Sequence, residues 1–160
     1  MGLATGMPIP VRYHFTQRFP VSAKKAFEWC TSFDPRDPVL MGEKGVERQI
    51  THVTEGVTIL KDIFHSERGV IEKEKLVELY PGQLSWVSTH LTGPNKYSQF
   101  LYVITPNGKA ASTLSFTGLH LEYEAKEDAQ SLADRLCLED SDAWKLLAKA
   151  MTHELKKSAH

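Results

Sequence analysis

Asp142-Ala-Trp-Lys-Leu-Leu-Ala-Lys-Ala-Met-Thr-His-Glu-Leu155 carries the pattern of a long amphipathic helix near the end of the chain. Its apolar residues Trp144, Leu147, Ala148, Met151 and Leu155 recur at spacings of three and four, which on a helix places them along one stripe. Lys145, Lys149, Lys156 and Lys157 fall on the outer face, where a basic tail complements the negative end of the helix dipole. A helix with one apolar stripe has to lay it against something. Upstream, between Glu47 and Tyr123, the chain offers seven short strand-like runs with almost no helix among them.

Five turn signals cut that region: Glu55-Gly56, Glu67-Arg68-Gly69, Pro81-Gly82, Thr92-Gly93-Pro94-Asn95 and Pro106-Asn107-Gly108. Strands joined by turns this short pair with their sequence neighbours and give an antiparallel meander. Asn107-Gly108 is the strongest signal, because a type I′ hairpin needs positive φ at both central residues. The expected class is therefore α+β: a curved antiparallel sheet of about seven strands wrapped around a long C-terminal helix.

Before the meander, Val11, Tyr13, Phe15, Gln17 and Phe19 alternate with Arg12, His14, Thr16 and Arg18, the pattern of a half-buried strand. Ser22 can N-cap a helix carrying Ala23, Ala26, Phe27 and Cys30, and Asp34 to Gly42 suggests a second, shorter helical turn. Residues 1–10 are Gly- and Pro-rich and are expected to be frayed. After the meander, Ala129, Leu132, Ala133 and Leu136 suit a helical segment. Glu139-Asp-Ser-Asp142 could break it, with Ser141 as N-cap of the final helix, so one bent helix and two separate helices are both open.

Bulk properties set limits. The 160 residues suit one domain, 1–160, able to bury roughly two thirds of its unfolded surface. A formal net charge of -1 argues against a nucleic-acid partner. Two cysteines, Cys30 and Cys137, without a CxxC spacing, give no support to a disulfide framework or a cysteine zinc site. The start of the chain has neither a basic nor an apolar leader segment, so a cytoplasmic location is expected, and no apolar run is long enough for integral membrane association.

Turn positions also set register, and register assigns faces. If Tyr80 opposes Gln83, Val77 meets Trp86; if Pro106 opposes Lys109, Leu101 meets Leu114 and Gln99 meets Phe116. The resulting inner face carries Leu60, Asp62, Phe64, Ile71, Lys73, Val77, Leu79, Leu84, Trp86, His90, Tyr97, Gln99, Leu101, Leu114 and Phe116, with His120 at its margin. Glu72, Glu74, Glu78, Ser85, Thr89, Ser98, Thr113, Ser115 and Thr117 fall on the opposite, solvent-facing side.

The order strand, two short helices, meander, long helix resembles the helix-grip superfamily known as SRPBCC, which includes START lipid-transfer domains, the birch-pollen-allergen family, polyketide cyclases/aromatases and Aha1-type domains. The residues that carry the resemblance are Tyr13 to Cys30, Glu78-Leu-Tyr-Pro-Gly-Gln-Leu-Ser-Trp86 and Trp144 to Leu155. It implies a START-like domain with a cavity between sheet and last helix, holding a small hydrophobic molecule such as a lipid, isoprenoid, sterol-like compound or polyketide. Residues 125–140 are longer than a simple connection needs and could extend the helix, lid the cavity or pair with another subunit, as in a homodimer.

Within that frame Phe64, Trp86, Phe116, Trp144 and Met151 are the expected apolar walls, and Lys73, His90, Tyr97 and Gln99 the polar anchors. An imidazole and a phenol on neighbouring strands could instead act as acid and base on a carbonyl compound, which makes His90 and Tyr97 the candidate catalytic residues of a cyclase/dehydratase-like alternative. A protein-interaction module of the Aha1 type is the second alternative. Asp62 and Lys73 face each other under one reading of the Glu67-Arg68 turn, as charges turned toward an interior must if they are to be paired. Of the seven histidines, His52 and His65 read as outward and only His90 and His120 as inward, so no metal is implied, and no cofactor either. His153-Glu154 lacks the second histidine of HExxH, and Gly108-Lys109 lacks the glycine and helix of a phosphate loop.

Overall fold

The computed structural model describes residues 7–158. Of the segment expected to fray, residues 1–6 lie outside the described residues, and Ile9 and Pro10 already belong to the first strand, β1 (Ile9–Phe19). Then follow α1 (Ala23–Cys30), α2 (Asp37–Leu40), β2 (Val46–Thr54), β3 (Val57–Ser66), β4 (Gly69–Tyr80), β5 (Ser85–His90), β6 (Gln99–Pro106), β7 (Ser112–Glu122) and α3 (Ala129–Lys157). The stretch from Glu47 to Tyr123 thus holds six strands, and the seventh is β1, which pairs with β7. The strands form one antiparallel sheet in the order β1-β7-β6-β5-β4-β3-β2. Its open edges are β1 and β2.

α3 is a single helix of 29 residues, about 43 Å long at the usual rise. Asp128 is its N-cap, with the carboxylate accepting from the Ser131 amide at 2.8 Å. Ser141 therefore caps nothing and donates its hydroxyl to the Leu138 carbonyl within the helix. The extra segment 125–140 is largely the first turns of α3. Leu132, Ala133, Trp144, Leu147, Ala148 and Met151 form one buried stripe along the whole rod.

That stripe meets two apolar clusters. The larger joins Phe19, Leu114, Trp86, Val77 and Leu60 of the sheet to Phe27 and Cys30 of α1 and to Trp144, Leu147 and Met151 of α3. The smaller joins Val11, Tyr13, Phe100 and Phe116 to Leu132 and Ala133. Ser22 caps α1 as expected, through a long 3.4 Å contact to the Lys25 amide.

Registers depart from expectation in two instructive ways. Tyr80 pairs with Ser85 because Pro81–Gln83 form a 3-10 turn and Leu84 takes a left-handed conformation (φ 48°), so Leu79 meets Trp86 and Val77 meets Ser88. A shift of two leaves Val77, Leu79, Trp86 and His90 on their expected face, but Leu84 drops out of the strand pair and Ser85, expected to face solvent, is buried. At the other hairpin Pro106 pairs with Ser112, and the loop runs from Asn107 to Ala111 instead of turning at Asn107-Gly108. This odd shift flips β6: Phe100, Tyr102 and Ile104 face the helix, while Gln99 and Leu101 face away, paired with Leu119 and Thr117. Ser98, expected outside, is fully buried and accepts from the Leu121 amide at 2.8 Å. His52, read as outward, shares its face with its buried partner Thr58 but is exposed on the edge strand. Ile71 keeps the inner face yet is 48% exposed, at the tip of the β3–β4 hairpin.

Candidate ligand-binding site

Side chains do not fill the space between sheet and α3. A cavity of about 460 Å³ remains, lined by residues of all seven strands, by the α1–α2 segment and by α3. Its apolar wall is aromatic. Trp86 and Tyr102 stack at 4.7 Å between centroids, Tyr102 meets Phe116 edge-on at 5.1 Å, and Phe100 stacks on Phe116 at 5.7 Å. Trp144 closes on Tyr102 from the helix side at 5.8 Å. Gly118 makes room for this wall: a Cβ there would lie 2.8 Å from the ring of Tyr13, its cross-strand partner. The Tyr13 hydroxyl thereby reaches across to donate to the Asp140 carboxylate of α3.

The opposite wall is charged. Arg48 and Asp62 are direct cross-strand partners on β2 and β3, and the guanidinium grips the carboxylate through two bonds of 2.7 and 2.9 Å. Lys75, diagonal to Asp62 on β4, adds a third bond at 3.1 Å. Asp37, at the start of α2, stands 3.6 Å from the other side of Arg48. Burial alone would raise Asp62, but the bonds and charges of Arg48 and Lys75 outweigh it and hold the carboxyl at about 2. Asp37 lacks such bonds, and burial pushes it up to about 6 despite Arg48. Lys75 is lowered, by burial first.

Between the walls sits His90. It is the β4–β5 partner of Lys75, packs against Phe100 at 5.2 Å, and places Nδ1 3.1 Å from Asn95 Oδ1. Burial first, then the charges of Lys75 and Lys73, push it down to about 3, so the ring is neutral at pH 7. With the Asn95 oxygen as acceptor, Nδ1 carries the proton and Nε2 keeps its lone pair. Lys73 extends its ammonium over the Phe64 ring at 5.0 Å and has no ion-pair partner among the described residues.

Among the residues singled out from sequence, Phe64, Lys73, Trp86, His90, Phe116 and Trp144 line the cavity. Tyr97, Gln99 and Met151 do not. Tyr97 is 59% exposed with a φ of 70° in the β5–β6 connection, Gln99 lies on the outer face bonded to Thr89, and Met151 is wholly buried in the larger core cluster. His90 and Tyr97 meet through the backbone, the Tyr97 amide donating to the His90 carbonyl at 2.6 Å, while the Tyr97 ring points away from the cavity that His90 lines. Asp62 does oppose Lys73 in register, but its ion pairs go to Arg48 and Lys75. Sequence reasoning missed Arg48, Lys75, Tyr102 and Phe100. Strand alternation from Lys73 to Val77 was signal enough for Lys75; Tyr102 and Phe100 were lost with the β6 register. Among the described residues no group of three or more His, Cys, Asp or Glu side chains could hold a metal ion.

No protein-family profile matches the chain, and no curated protein matches it in sequence. Solved structures do match. A protein from Thermus thermophilus superimposes with a TM-score of 0.71 at 13% identity, covering 89% of this chain and 98% of its own. The Zhui aromatase/cyclase from Streptomyces gives 0.70 at 10% identity, covering 95% and 97%. Norcoclaurine synthase from Thalictrum flavum, in complex with dopamine and hydroxybenzaldehyde, gives 0.66 at 13% identity, covering 94% and 89%. The fold is thus the helix-grip fold, an α+β architecture of seven antiparallel strands closed by a long C-terminal helix. At these identities the likeness concerns the fold.

Proposed function

We propose that the protein binds a small, largely apolar, ring-bearing molecule between the sheet and α3. The observation that carries this reading is the cavity itself: about 460 Å³ left open beside a stacked aromatic wall, within the range of small-molecule sites. A protein that merely needed a core would fill such a space, because each unfilled volume forfeits packing energy. The neighbours whose names mention ring chemistry, an aromatase/cyclase and a synthase complexed with two aromatic compounds, support the same class of occupant. Lipid, isoprenoid and sterol-like ligands belong to the reading insofar as they present flat apolar surface to Trp86 and Phe116.

The test is titration with a neutral fluorescent apolar probe, N-phenyl-1-naphthylamine. Wild type is expected to bind it with micromolar affinity and quench Trp86. Ser88→Phe, which pushes a ring into the cavity from β5, is expected to abolish binding while retaining a cooperative melt. Equal binding by both proteins would show that the probe sits elsewhere.

A catalytic reading survives on one observation. His90 is a neutral imidazole facing the cavity beside two cationic lysines, and its Nε2 is free to take a proton from a bound molecule. Its partner on this reading would be Lys75, whose proton burial loosens, in place of Tyr97.

A further inference from the structure

The charges around the cavity are not evenly matched, and the mismatch bears on what the cavity holds. Asp62 is shared by Arg48 and Lys75, Asp37 flanks Arg48, Glu122 is 2.8 Å from His120, Glu139 pairs with Arg135 and Asp140 accepts from Tyr13. Each of these lining acids has a partner, Asp62 and Asp37 sharing Arg48; the remaining one, Glu43, is exposed at the rim. On the cationic side one residue is left over. Arg48 stands between Asp62 and Asp37, Lys75 has only a share of Asp62, and Lys73 has no carboxylate partner among the described residues. Lys73 and Lys75 are successive inward residues of β4, so their side chains rise from the same face of one strand, with His90 the register partner of Lys75. A partly buried ammonium beside an apolar ring is costly unless a counter-charge or water meets it.

Given that the cavity holds a ligand, we propose that this ligand is an aromatic or acyl carboxylic acid, its carboxylate seated on Lys73 and Lys75 and its apolar body against Trp86, Phe100 and Phe116. The geometry suits such an amphiphile. The aromatic wall and the lysines border one continuous space, so a single molecule reaches both. Phe64, under the Lys73 ammonium, supplies apolar surface up to the point where the charge begins. The carboxylate would take up the second valence of Lys75, which Asp62 satisfies only in part while also serving Arg48.

The experiment compares 2-naphthoate with 2-naphthylmethanol, alike in ring and differing in charge, by fluorescence titration of the full chain at pH 7.5 and low salt. Wild type is expected to bind the acid at least about tenfold more tightly than the alcohol, a preference that shrinks as salt screens the lysines. Lys73→Gln is expected to remove most of that preference, and Lys73→Arg to keep it. Equal affinities for acid and alcohol in wild type would overturn the carboxylate assignment while the apolar-ligand reading stands. Binding of neither, nor of N-phenyl-1-naphthylamine, would overturn both. A preference for the acid that Lys73→Gln leaves intact would move the anion to another part of the protein and overturn the seat named here.

Discussion

The two ends of the space beneath α3 are built from the same strands and solve opposite problems. At one end Leu60 and Val77 point inward into the larger apolar cluster, whose fully buried heart, Phe19, Leu114 and Met151, is solid, while Leu60, Val77, Trp144 and Leu147 border the cavity at its margin. At the other end the next inward residues of those strands are Asp62, Lys73 and Lys75, and the helix stands off from them across a cavity. Two residues along a strand separate a leucine from a carboxylate. Apolar residues occupy the inner face where the helix touches it, and charged ones where it does not, because a charge is tolerable there only if paired or wet. The unfilled end is therefore a specified feature of the sequence.

Cutting the charge network should have the largest effect. Asp62→Ala leaves Arg48 and Lys75 facing each other without their common carboxylate, and a loss of about 3–5 kcal/mol is expected in urea unfolding. A loss below about 1 kcal/mol would mean water already screens the pair. At the solid end Met151→Ala should cost about 2–5 kcal/mol by opening a cavity in a filled core. Neither variant should change the m-value, and comparing them gives the two ends a common scale.

The third expectation concerns pH. His90 is held at about 3, below its ordinary value of 6.5, so its contribution to stability is complete above pH 6.5 and is lost as pH falls from there toward 3. At pH 5 the loss is about 2 kcal/mol. Asp37, raised to about 6, works in the opposite sense: its ionisation costs stability as pH rises from 3.8 through 6, so acidification regains some. His90→Gln should therefore resist acid better than wild type between pH 7 and 5, by melting temperature at each pH. Parallel pH profiles for the two proteins would contradict a neutral, buried His90. Asp62, held at about 2, enters only as pH falls below 3.8 toward that value. The smallest effect is expected at Lys73→Gln, within about 0.5 kcal/mol of wild type, since that ammonium has no partner to lose.

The sequence made the filled end far easier to read than the open one. The stripe from Trp144 to Met151, the alternation of β1 and the cap at Ser22 are local patterns, and each survives in the structure because nothing distant competes with it. The β6 face failed for a definable reason: Asn107-Gly108 reads as a tight turn, while the chain makes a longer loop closed by the Asn107 amide to the Ala111 carbonyl, and an odd change in loop length inverts a whole strand. Gln99 was lost with it, and Tyr97 falls in the β5–β6 connection, outside any strand. The Arg48–Asp62–Lys75 network spans three strands and depends on two registers at once, so no short pattern announces it. The continuity of α3 through Glu139-Asp-Ser-Asp142 was hidden by polar residues that suit a break as well as a solvent-facing turn.

The central claim is that the open end holds a small apolar molecule against the aromatic wall. A crystal structure of the protein grown with N-phenyl-1-naphthylamine tests it most directly. Density for the probe is expected between Trp86, Phe116 and Leu147, with the Arg48–Asp62 pair undisturbed. Density on the outer face of the sheet, or a cavity closed by inward movement of α3, would contradict the claim.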